Sequence, residues 1–599
     1  MTVDVPRLEG FAGGRWGVWP EAEGEMMEQH DQRPWAVHYG PGVPAEIEIP
    51  DEPVTAGLAR SAQRFPERIA TDFLGATATY AETEQAVRRA MVVLSGLGVH
   101  AGSRVALVLP NCPSHLVAYH AVLRLGAVVV DLNPTYTQAE LEHLLGDCGA
   151  THALVWHKAV ERVLPARATT PLETVVSVDV SRDLPMLSRL LLRLPLKPAR
   201  AKREALLGTV PSDIADWHHL VAGAQGEVPP ATVRADDLAL LQYTGGTTGT
   251  PKAAMLTHRN LVANLVHGQA WAGFREGEET VYGVLPFFHA FGLTFCLNLP
   301  GHIGATLVMF PNFDPAAVVQ AFGRRPATFM AGVAPMFDRI AATAEASGKP
   351  PAEGFRECRL GFAGAMPIPP ATVERWERLT GGLLIEGYGM TECAPIALGN
   401  PCAPTRRPGT LGVPFPNTDM RIVDVDDHTR EVGPNESGVR RGELLVRGPQ
   451  VFTGYLNRPE ETAHQLLEDG WLRTGDVVEV DATGWVTLVD RVKEMIIVGG
   501  FKVYPSTVED HLRLLPGVTD VAVVGVSTRA GDHEVLAAFV MESGAATPSV
   551  EMVRAHGEQR LARYALPRRV EFVEDLPRSQ IGKVMRRQVQ EMFSHRDRD

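Results

Sequence analysis

Residues Tyr243-Thr-Gly-Gly-Thr-Thr-Gly-Thr-Pro-Lys-Ala-Ala-Met-Leu-Thr-His258 form the stretch that decides the fold. An apolar run, Leu238 to Tyr243, predicts a buried strand before the loop, and Thr257 is a plausible N-cap for a helix after it. The glycines let backbone N–H groups approach an anion, the threonine hydroxyls can donate to phosphate oxygens, and Lys252 adds a positive charge. The stretch therefore predicts a loop that holds a polyphosphate.

The same loop is not a Walker A loop. The pattern Gly-x-x-x-x-Gly-Lys-[Ser/Thr] cannot be fitted to it, because Pro251 directly precedes Lys252 and Ala253 follows it. Kinase-like and GTPase-like classes lose support, while a polyphosphate stays the predicted ligand.

Length and composition indicate a large globular protein with more than one domain. At 599 residues, 45% hydrophobic and 21% charged, the chain can bury more than one core. The formal net charge of −14 disfavours nucleic acid as a partner, so a polyanion must be held by a local group of cations. Six cysteines without a C-x-x-C pair favour a reduced intracellular compartment and provide no zinc motif.

No targeting or membrane-spanning segment is predicted. Met1 to Gly10 has no basic region followed by an apolar core, which disfavours a secretory signal. The most apolar long segment, Leu293 to Phe310, is interrupted by polar residues, glycines and Pro300, which disfavours a membrane span. We therefore expect a cytoplasmic protein.

Apolar runs alternate with helical patterns along most of the chain. Arg104 to Leu109 and Ala127 to Leu132 are predicted strands on either side of a predicted helix, Pro113 to Leu125, which makes a βαβ unit. The alternation predicts an α/β fold with helices covering parallel sheets. After Gly409 shorter strands predict a small β-rich subdomain, and residues 1–50 are predicted to lie as an extended arm over the body.

One segment, Arg182 to Arg203, interrupts this alternation. It contains seven basic residues and one acid, Asp183, interleaved with leucines and Met186. A basic amphipathic helix of this kind can lie on an anionic membrane surface. An insertion packed on the body is an equally good interpretation, and both stay open.

Further motifs follow the loop along the chain, and they are Pro286-Phe-Phe-His-Ala-Phe-Gly292, Gly361-Phe-Ala-Gly-Ala-Met-Pro367, Glu386-Gly-Tyr-Gly-Met-Thr-Glu392, Trp471-Leu-Arg-Thr-Gly-Asp476, Asp490-Arg-Val-Lys493, Val498-Gly-Gly-Phe-Lys-Val-Tyr-Pro505 and Leu576-Pro-Arg-Ser-Gln-Ile-Gly-Lys-Val-Met-Arg-Arg587. In this order they resemble the acyl-adenylate-forming superfamily, which includes acyl-CoA synthetases, peptide-synthetase adenylation domains and luciferases. The resemblance spans roughly Pro34 to Arg587. It is nearest to bacterial long-chain fatty acid–CoA ligases.

The resemblance implies roles for the phosphate and metal contacts. Thr391 would contact the α-phosphate, and Glu392 with Thr244 would hold Mg²⁺, which prefers hard oxygen ligands. His289 would lie near the carboxylate of the acid substrate. The loop residues implied to bind the nucleotide are Thr244, Gly245, Gly246, Thr247, Thr248, Gly249 and Lys252.

Other motifs would hold the base and the ribose. Asp476 would bind the ribose hydroxyls, since a carboxylate can accept two hydrogen bonds from a diol. Tyr388 would stack on the base. The remaining residues implied to contact the nucleotide are Gly364 and Ala365 in the adenine pocket, Glu386 and Gly387 beside Tyr388, and Arg491 and Lys493 after the hinge.

The last part of the chain resembles the family's mobile domain. Asp490 stands at the family's hinge, so the resemblance divides the chain into residues 1–490, which bind the nucleotide and the acid, and a mobile α+β domain, residues 491–599. Gly500 and Lys502 would meet the thiol substrate, and Lys583 would act in adenylation.

Three departures from the family pattern affect the interpretation. Ala253 replaces a usual Gly after Lys252, and Ser579-Gln-Ile581 replaces a Thr/Ser-rich approach to Lys583. No Asp occurs from Pro286 to Gly292, where amino-acid-activating relatives pair one with the substrate's ammonium. A desolvated ammonium without a counter-charge is costly, so an amino acid is disfavoured as substrate.

The sequence thus predicts an enzyme that uses ATP, Mg²⁺ and coenzyme A to activate a medium- to long-chain fatty acid, with Lys583, His289 and Thr391 in catalysis. A fatty acyl-AMP ligase that loads a carrier protein, an aryl-CoA ligase, an oxidative luciferase-type enzyme and a catalytically silent AMP or lipid sensor stay open. So do peripheral membrane contact and a homodimer. The exact chain length of the acid is not predicted.

Overall fold

A computed structural model of the protein describes residues 33–244, 251–346, 353–498, 501–527, 533–558, 561–578 and 584–594. Its α-helices are Ala56–Arg64, Tyr80–Gly96, Pro113–Arg124, Gln138–Cys148, Val160–Val163, Met186–Leu191, Lys197–Leu206, Trp217–Gly223, His258–Ala272, Ala290–Gly292, Leu299–Ile303, Pro315–Arg324, Ala334–Ala346, Pro370–Thr380, Pro459–Gln465, Pro505–Leu512, Val550–Gly557 and Arg586–Ser594. Short 3₁₀ turns and a π-helical turn, Leu293–Asn298, connect several of them.

The strand before the phosphate loop belongs to a mainly parallel sheet. In spatial order this sheet contains Ala215–Asp216, Thr174–Val178, His152–Trp156, Arg104–Val108, Val128–Asp131, Leu238–Thr244 and Lys252–Thr257. Its neighbouring strands run parallel except for the last pair. Arg104–Val108 and Val128–Asp131 are buried almost throughout, as expected for parallel strands covered on both faces, and they confirm the predicted βαβ unit.

A second mainly parallel sheet carries the other predicted motifs at its strand ends. In spatial order it contains Val413–Pro414, Ile396–Gly399, Leu383–Gly389, Leu360–Ala363, Phe329–Gly332, Thr280–Gly283, Thr306–Met309, Ile69–Phe73 and Ala76–Thr79. The interior strands are parallel and the edges antiparallel. Both sheets end in loops at the carboxyl ends of parallel strands, the usual place for ligands in α/β folds.

A smaller antiparallel sheet follows, as the shorter strand pattern after Gly409 predicts. Its strands, in order, are Asp419–Val423, Arg440–Arg447, Leu472–Val480 and Val486–Arg491. Of the predicted arm, residues 33–50 are described, and they contact both this sheet and the edge strand Val413–Pro414 of the second large sheet. Arg33 pairs with Asp419 at 3.1 Å, and the Tyr39 hydroxyl donates to the Pro414 carbonyl at 2.6 Å.

The C-terminal segment forms a compact α+β unit with its own core. Its strands are Ile496–Val498 paired with Phe501–Val503, and Val518–Ser527, His533–Met541 and Arg569–Phe572 in a separate sheet. The predicted fold class, an α/β body with a small β-rich part and an α+β C-terminal domain, is confirmed. The boundary at residue 490 stays a prediction.

Two local predictions need correction. Lys252–Thr257, expected as loop, is a strand that pairs antiparallel with Leu238–Thr244. The segment 182–203 is not one amphipathic helix but two short ones, Met186–Leu191 and Lys197–Leu206. Pro195 lacks an N–H group and disfavours helical geometry in the residue before it, so the helix cannot continue through this point.

None of the described helices combines the length and the apolar character needed to cross a membrane. The apolar stretch from residue 293 folds instead into a π-helical turn, the helix Leu299–Ile303 and the buried strand Thr306–Met309.

Candidate active site

The loop after Thr280–Gly283 reaches across to the strand that precedes the phosphate loop. Gln242, two residues before Thr244, donates a hydrogen bond from Nε2 to the Phe288 carbonyl at 2.8 Å. Asn111 accepts from the Phe287 N–H at 2.8 Å and donates to the Leu285 carbonyl at 2.8 Å. These contacts join the carboxyl ends of the two sheets and hold the residue 286–292 loop beside Thr244.

His289 lies half-buried in this loop, next to Phe288. Its Nε2 is buried and has no hydrogen-bond partner among the residues that the structure describes. Burial lowers the pKa of His289 to about 4, so the imidazole is neutral at pH 7. A neutral ring with one unused nitrogen can donate to or accept from a ligand in the cleft.

Glu392 is held in place by a network that extends to the strand Lys252–Thr257. Its Oε1 accepts a hydrogen bond from the Tyr455 hydroxyl at 2.5 Å, and its carbonyl accepts from the Phe452 N–H at 2.9 Å. The Leu456 N–H in turn donates to the Ala253 carbonyl at 2.9 Å. The carboxylate is therefore fixed in a largely buried position beside the strand that follows the phosphate loop.

Two lysines, Lys252 and Lys493, lie within electrostatic reach of each other near this carboxylate. Lys252 Nζ lies 5.3 Å from the centre of the Tyr455 ring and 4.0 Å from the nearest oxygen of Glu461. Partial burial lowers the pKa of Lys493, and the charge of Lys252 lowers it further, while Glu392 acts in the opposite direction. Lys493 forms no ion pair within the described part of the chain.

Two arginines add to the positive charge around the lysines. Arg473 and Arg491 both lower the pKa of Lys493, so they lie within electrostatic reach of it. Each arginine has a carboxylate partner, Glu443 at 2.7 Å and Asp476 at 3.2 Å. Holding like charges together in partly buried positions costs free energy, which a bound polyanion would relieve.

Tyr388 and Asp476 connect the second sheet to the antiparallel sheet. The Tyr388 hydroxyl donates to Asp476 Oδ2 at 2.5 Å, while Arg491 pairs with Oδ1. Tyr388 and Asp476 are both buried. Both Asp476 oxygens therefore have partners within the protein, and the predicted contact of Asp476 with a ribose diol stays a prediction.

The remaining described candidates lie at the ends of the second sheet. Gly364 follows Leu360–Ala363, and a Cβ placed on it would lie 3.3 Å from the Gly387 carbonyl and 3.2 Å from Phe291, so only glycine fits without movement. Ala365 is exposed with a positive φ of 68°. Thr391 begins the 3₁₀ turn that carries Glu392.

The carboxylate of Glu386 is hydrogen-bonded within the protein. Its two carboxylate oxygens accept hydrogen bonds from the Asn400 amide at 3.1 Å and the Gly409 N–H at 3.0 Å, and burial raises the pKa of Glu386. Its side chain therefore ties the strand Leu383–Gly389 to the chain after residue 400. Its predicted nucleotide contact stays a prediction.

The C-terminal unit meets the body at the predicted hinge. Asp490 is buried, accepts from the Ser506 N–H at 2.7 Å, and burial raises the pKa of Asp490 to about 6. Lys502 does not join the cluster at Glu392 in this arrangement. Its Nζ lies 2.6 Å from Asp426, on the loop between two strands of the antiparallel sheet.

Several predicted site residues lie outside the described residues: Gly245, Gly246, Thr247, Thr248, Gly249, Gly500 and Lys583. The structure also adds residues that the sequence analysis missed. Tyr455 had no motif to mark it. Gln242 had a usable signal, because a polar residue inside the apolar run before the loop requires a hydrogen-bond partner.

An apolar cavity lies behind the residue 286–292 loop. The cavity is narrow, with room for about one water molecule, and its wall includes Trp271, Phe295, Phe329, Phe362 and Phe415. Phe291, half-buried between Gly364 and this wall, packs edge-on against Phe295 and Phe362 with ring centres 5.6 Å away. The rings therefore run without interruption from the loop of His289 into the cavity.

The donor set fits a magnesium ion that arrives with a nucleotide. Among the described residues no group of three or more His, Cys, Asp or Glu side chains could cage a metal. Mg²⁺ usually takes one or two protein oxygens together with phosphate oxygens and water. Glu392 and the Thr244 hydroxyl supply such oxygens at the loop predicted to hold phosphates.

Comparisons with known proteins agree with this geometry. Residues 58–456 match the family described as AMP-binding enzyme, and residues 507–583 match the AMP-binding enzyme C-terminal domain. The chain is 37% identical to a long-chain-fatty-acid–CoA ligase of Salmonella typhimurium (strain LT2) over 93% of this chain and 98% of the relative. It is 32% identical to one from Bacillus subtilis (strain 168) over 94% and 98%. ATP-bound MatB from Rhodopseudomonas palustris is a structural relative, with a TM-score of 0.76, 28% identity, and coverage of 91% of this chain and 99% of that one.

Proposed function

Because the chain belongs to the AMP-binding enzyme family, we propose that it joins a fatty acid to coenzyme A in two steps, with ATP converted to AMP and pyrophosphate. The observation that carries the proposal is the geometry around Tyr455, whose hydroxyl fixes the carboxylate of Glu392 while Lys252 Nζ lies 5.3 Å from its ring centre, with Lys493 within electrostatic reach of both charges. Such a group suits a nucleotide polyphosphate with its metal ion, while an apolar cavity lies close by for the acid.

In the first step a carboxylate oxygen of the acid attacks the α-phosphorus of ATP, and the bond to the β-phosphate oxygen breaks. The obstacle is the approach of one anion to another, so positive charges in a site shielded from water lower the barrier. Lys252 and Lys493 hold the phosphates, and Thr391 and Lys583 are proposed to face the reacting group. Glu392 and Thr244 would hold Mg²⁺, which would neutralise charge on the phosphate oxygens.

The base and ribose would be positioned by the second sheet. Asp476 would accept hydrogen bonds from the ribose hydroxyls, and the ring of Tyr388, oriented through its bond to Asp476, would stack on the base. Gly364 and Gly387 let Phe291 and Phe362 pack closely against these two strand ends, since a side chain at either position would collide with those rings, and the backbone there is proposed to line the adenine pocket. His289, neutral at pH 7, would orient the acid's carboxylate through its unused Nε2.

In the second step the thiolate of coenzyme A attacks the acyl carbon, and the bond from that carbon to AMP breaks. We propose that the unit beginning at residue 491 turns about Asp490 for this step, which removes Lys583 and brings in Gly500 and Lys502. Lys502 must first leave Asp426, and that ion pair is exposed and therefore weak. Exclusion of water between the steps protects the adenylate.

The aromatic cavity supports an apolar acid, and its size raises a second candidate. The cavity has room for only about one water molecule, so a long chain needs the rings of Phe291 and Phe295 to turn aside. An aryl acid would need less movement. The aryl-CoA ligase reading is therefore the second candidate for the same two-step chemistry.

ATP–pyrophosphate exchange across acids from acetate to palmitate, repeated with benzoate, tests the proposal. We expect exchange to rise with chain length and to exceed that with benzoate. Preference for benzoate would establish the second candidate, and no exchange with any acid would refute the function. Supply of free coenzyme A or of a carrier protein as acceptor then separates a CoA ligase from an acyl-AMP ligase.

Lys583→Ala tests the division between the two steps. We expect acid-dependent pyrophosphate release to fall by about 10²-fold or more, while preformed acyl-adenylate is still converted with coenzyme A. Arg587→Ala, a change of an exposed cation on the same segment, serves as control and should alter neither rate. Equal loss of both half-reactions in Lys583→Ala would contradict the proposed domain rotation.

The homodimer and the cytoplasmic location stay predictions of the sequence.

A further inference from the structure

Exposed apolar side chains are concentrated in one surface segment, residues 182–203. Among the described residues seventeen large hydrophobic side chains are exposed, and six of these lie between residues 186 and 196. Their exposed fractions range from 40% to 75%, for Met186, Leu187, Leu190, Leu191, Leu194 and Leu196. Because apolar surface in water costs free energy, such a cluster indicates a surface that is covered by something apolar in use.

The helix Met186–Leu191 directs this apolar surface outward. Met186 and Leu190 are four residues apart, as are Leu187 and Leu191, so both pairs lie on one side of the helix. No residue of this helix is buried. Leu74, in a turn whose Gly75 lies beside Pro185, is a further exposed apolar side chain at the same surface.

The segment is fixed to the body at both ends. Asp183 is held by the Ser114 hydroxyl at 2.9 Å, and Leu184 and Leu192 are buried in the main core. At the other end Arg203 donates to the Leu192 carbonyl at 3.2 Å, and Trp156 donates to the Leu206 carbonyl at 2.8 Å. The exposed leucines are therefore presented by an anchored segment, which reduces the entropy that binding would cost.

Cations surround the leucines and several are uncompensated. Arg182 pairs with Asp216 at 3.2 Å and Arg200 with Glu204 at 2.8 Å. Four others form no ion pair within the described part of the chain: Arg189, Arg193, Lys197 and Lys202. In a chain of net charge −14 these cations form a local positive surface.

We propose that residues 182–203 form a docking surface for an anionic lipid bilayer. Leucines bury in the boundary between headgroups and acyl chains, and lysines and arginines bind anionic headgroups at the same depth. An acidic protein would satisfy the cations and leave the outward leucine face without an apolar partner. The combination of both features on one anchored segment therefore favours a lipid surface.

The docking surface is connected to the loop that holds the proposed acid site. Ser114, which binds Asp183, is followed by His115, and the His115 ring packs edge-on against Phe287 with ring centres 5.4 Å apart. Phe287 belongs to the loop of His289 and Phe291. We infer, on the basis of the proposed function, that the acid passes from the bilayer to the cavity on this side of the molecule.

Sedimentation of the full-length protein with vesicles tests the docking surface independently of activity. The vesicles are phosphatidylcholine alone and phosphatidylcholine with phosphatidylglycerol. We expect at least about tenfold stronger binding to the anionic vesicles, and weaker binding as salt is raised. Absence of binding to anionic vesicles at low salt would overturn the proposal.

Two sets of substitutions and two matched controls locate the surface. The apolar set is L187S/L190S/L191S, with L514S/M552S/M592S as its control at exposed apolar sites elsewhere. The charge set is R189E/R193E/K197E/K202E, with R89E/R167E/R378E/R563E as its control of equal net charge. Each segment set should reduce binding to anionic vesicles by about tenfold or more, and each control by less than about threefold. Equal losses in a set and its control would overturn the assignment to this segment.

A second measurement separates this inference from the proposed function. The segment variants should activate octanoate in solution at the wild-type rate and activate palmitate supplied in anionic vesicles several-fold more slowly. Unchanged palmitate rates would overturn the inferred delivery. If the wild-type protein binds vesicles through the segment and activates neither acid, the proposed function fails while the docking surface stands.

Discussion

The protein has two positively charged regions, one around Glu392 and one along residues 182–203, and their environments differ. At Glu392, Lys252 and Lys493 lie beside a buried carboxylate, an aromatic ring and strand ends from both large sheets. Along the surface segment, cations such as Arg189 and Lys197 lie in solvent among exposed leucines. Both regions are positively charged, but the surroundings of the charges differ.

This difference determines which anion each region can bind. Partly buried charges act through a low effective dielectric, so a few of them hold a small, highly charged ligand at short range. Charges in water are screened beyond about 10 Å, so surface cations bind strongly only where an extended anionic surface meets many at once. If apolar side chains lie next to such cations, they favour a lipid bilayer as that anionic surface.

The largest expected effect comes from removing the carboxylate at the centre of the inner cluster. Glu392→Gln keeps an acceptor for the Tyr455 hydroxyl and loses the negative charge proposed to hold Mg²⁺. We expect kcat/KM for adenylation to fall by about 10²- to 10³-fold, measured by pyrophosphate release. Glu461→Gln, at the 4.0 Å contact with Lys252, is the matched control and should lose less than about threefold. Activity of Glu392→Gln near that of the control would show that the cluster does not hold the metal ion.

An effect of intermediate size should distinguish Lys493, near Glu392, from Lys197, on the surface segment. Lys493→Met removes a cation near Lys252 and should raise the KM for ATP by about tenfold, because one phosphate contact is lost. Lys197→Met should leave the KM for ATP unchanged and weaken binding to anionic vesicles instead. Steady-state kinetics and sedimentation on both variants check this. If either variant impaired both properties, the two regions would not be functionally distinct.

The smallest effect is a dependence on alkaline pH. Partial burial and the nearby Lys252 lower the pKa of Lys493, so its charge is lost at a lower pH than that of an ordinary lysine. The KM for ATP should therefore rise at alkaline pH in the wild type, by less than tenfold, and rise later in Lys493→Arg, whose guanidinium stays charged. Vesicle binding should change less over this range because arginines contribute to it. Identical pH profiles for the wild type and Lys493→Arg would exclude this role of Lys493.

Local features of the chain were predictable because they depend on neighbours in sequence. The buried strand before the loop and the N-cap at Thr257, which forms a capping box with Asn260, follow from short-range patterns. The βαβ unit and the later β-rich part follow from hydrophobic periodicity. The loop, the further motifs and their order were sufficient for the predicted family, which the comparisons confirm.

Other features required tertiary contacts. The strand Lys252–Thr257 was missed because its pairing with the preceding strand overrides a composition typical of a loop. Tyr455 was missed because it lies 63 residues from Glu392, whose carboxylate it fixes. The contact of Lys502 with Asp426 is equally remote, across 76 residues.

The sequence alone thus determined the fold class, the family and the residue types available for binding a nucleotide, since these depend on periodicity and on motifs of neighbouring residues. Only the tertiary structure decided which lysines stand near which carboxylate, which aromatic rings line the cavity, and that the leucines of residues 186–196 face solvent. The physical reason is that electrostatic interaction and burial depend on distance in space, and distant segments of the chain set those distances only when they pack together.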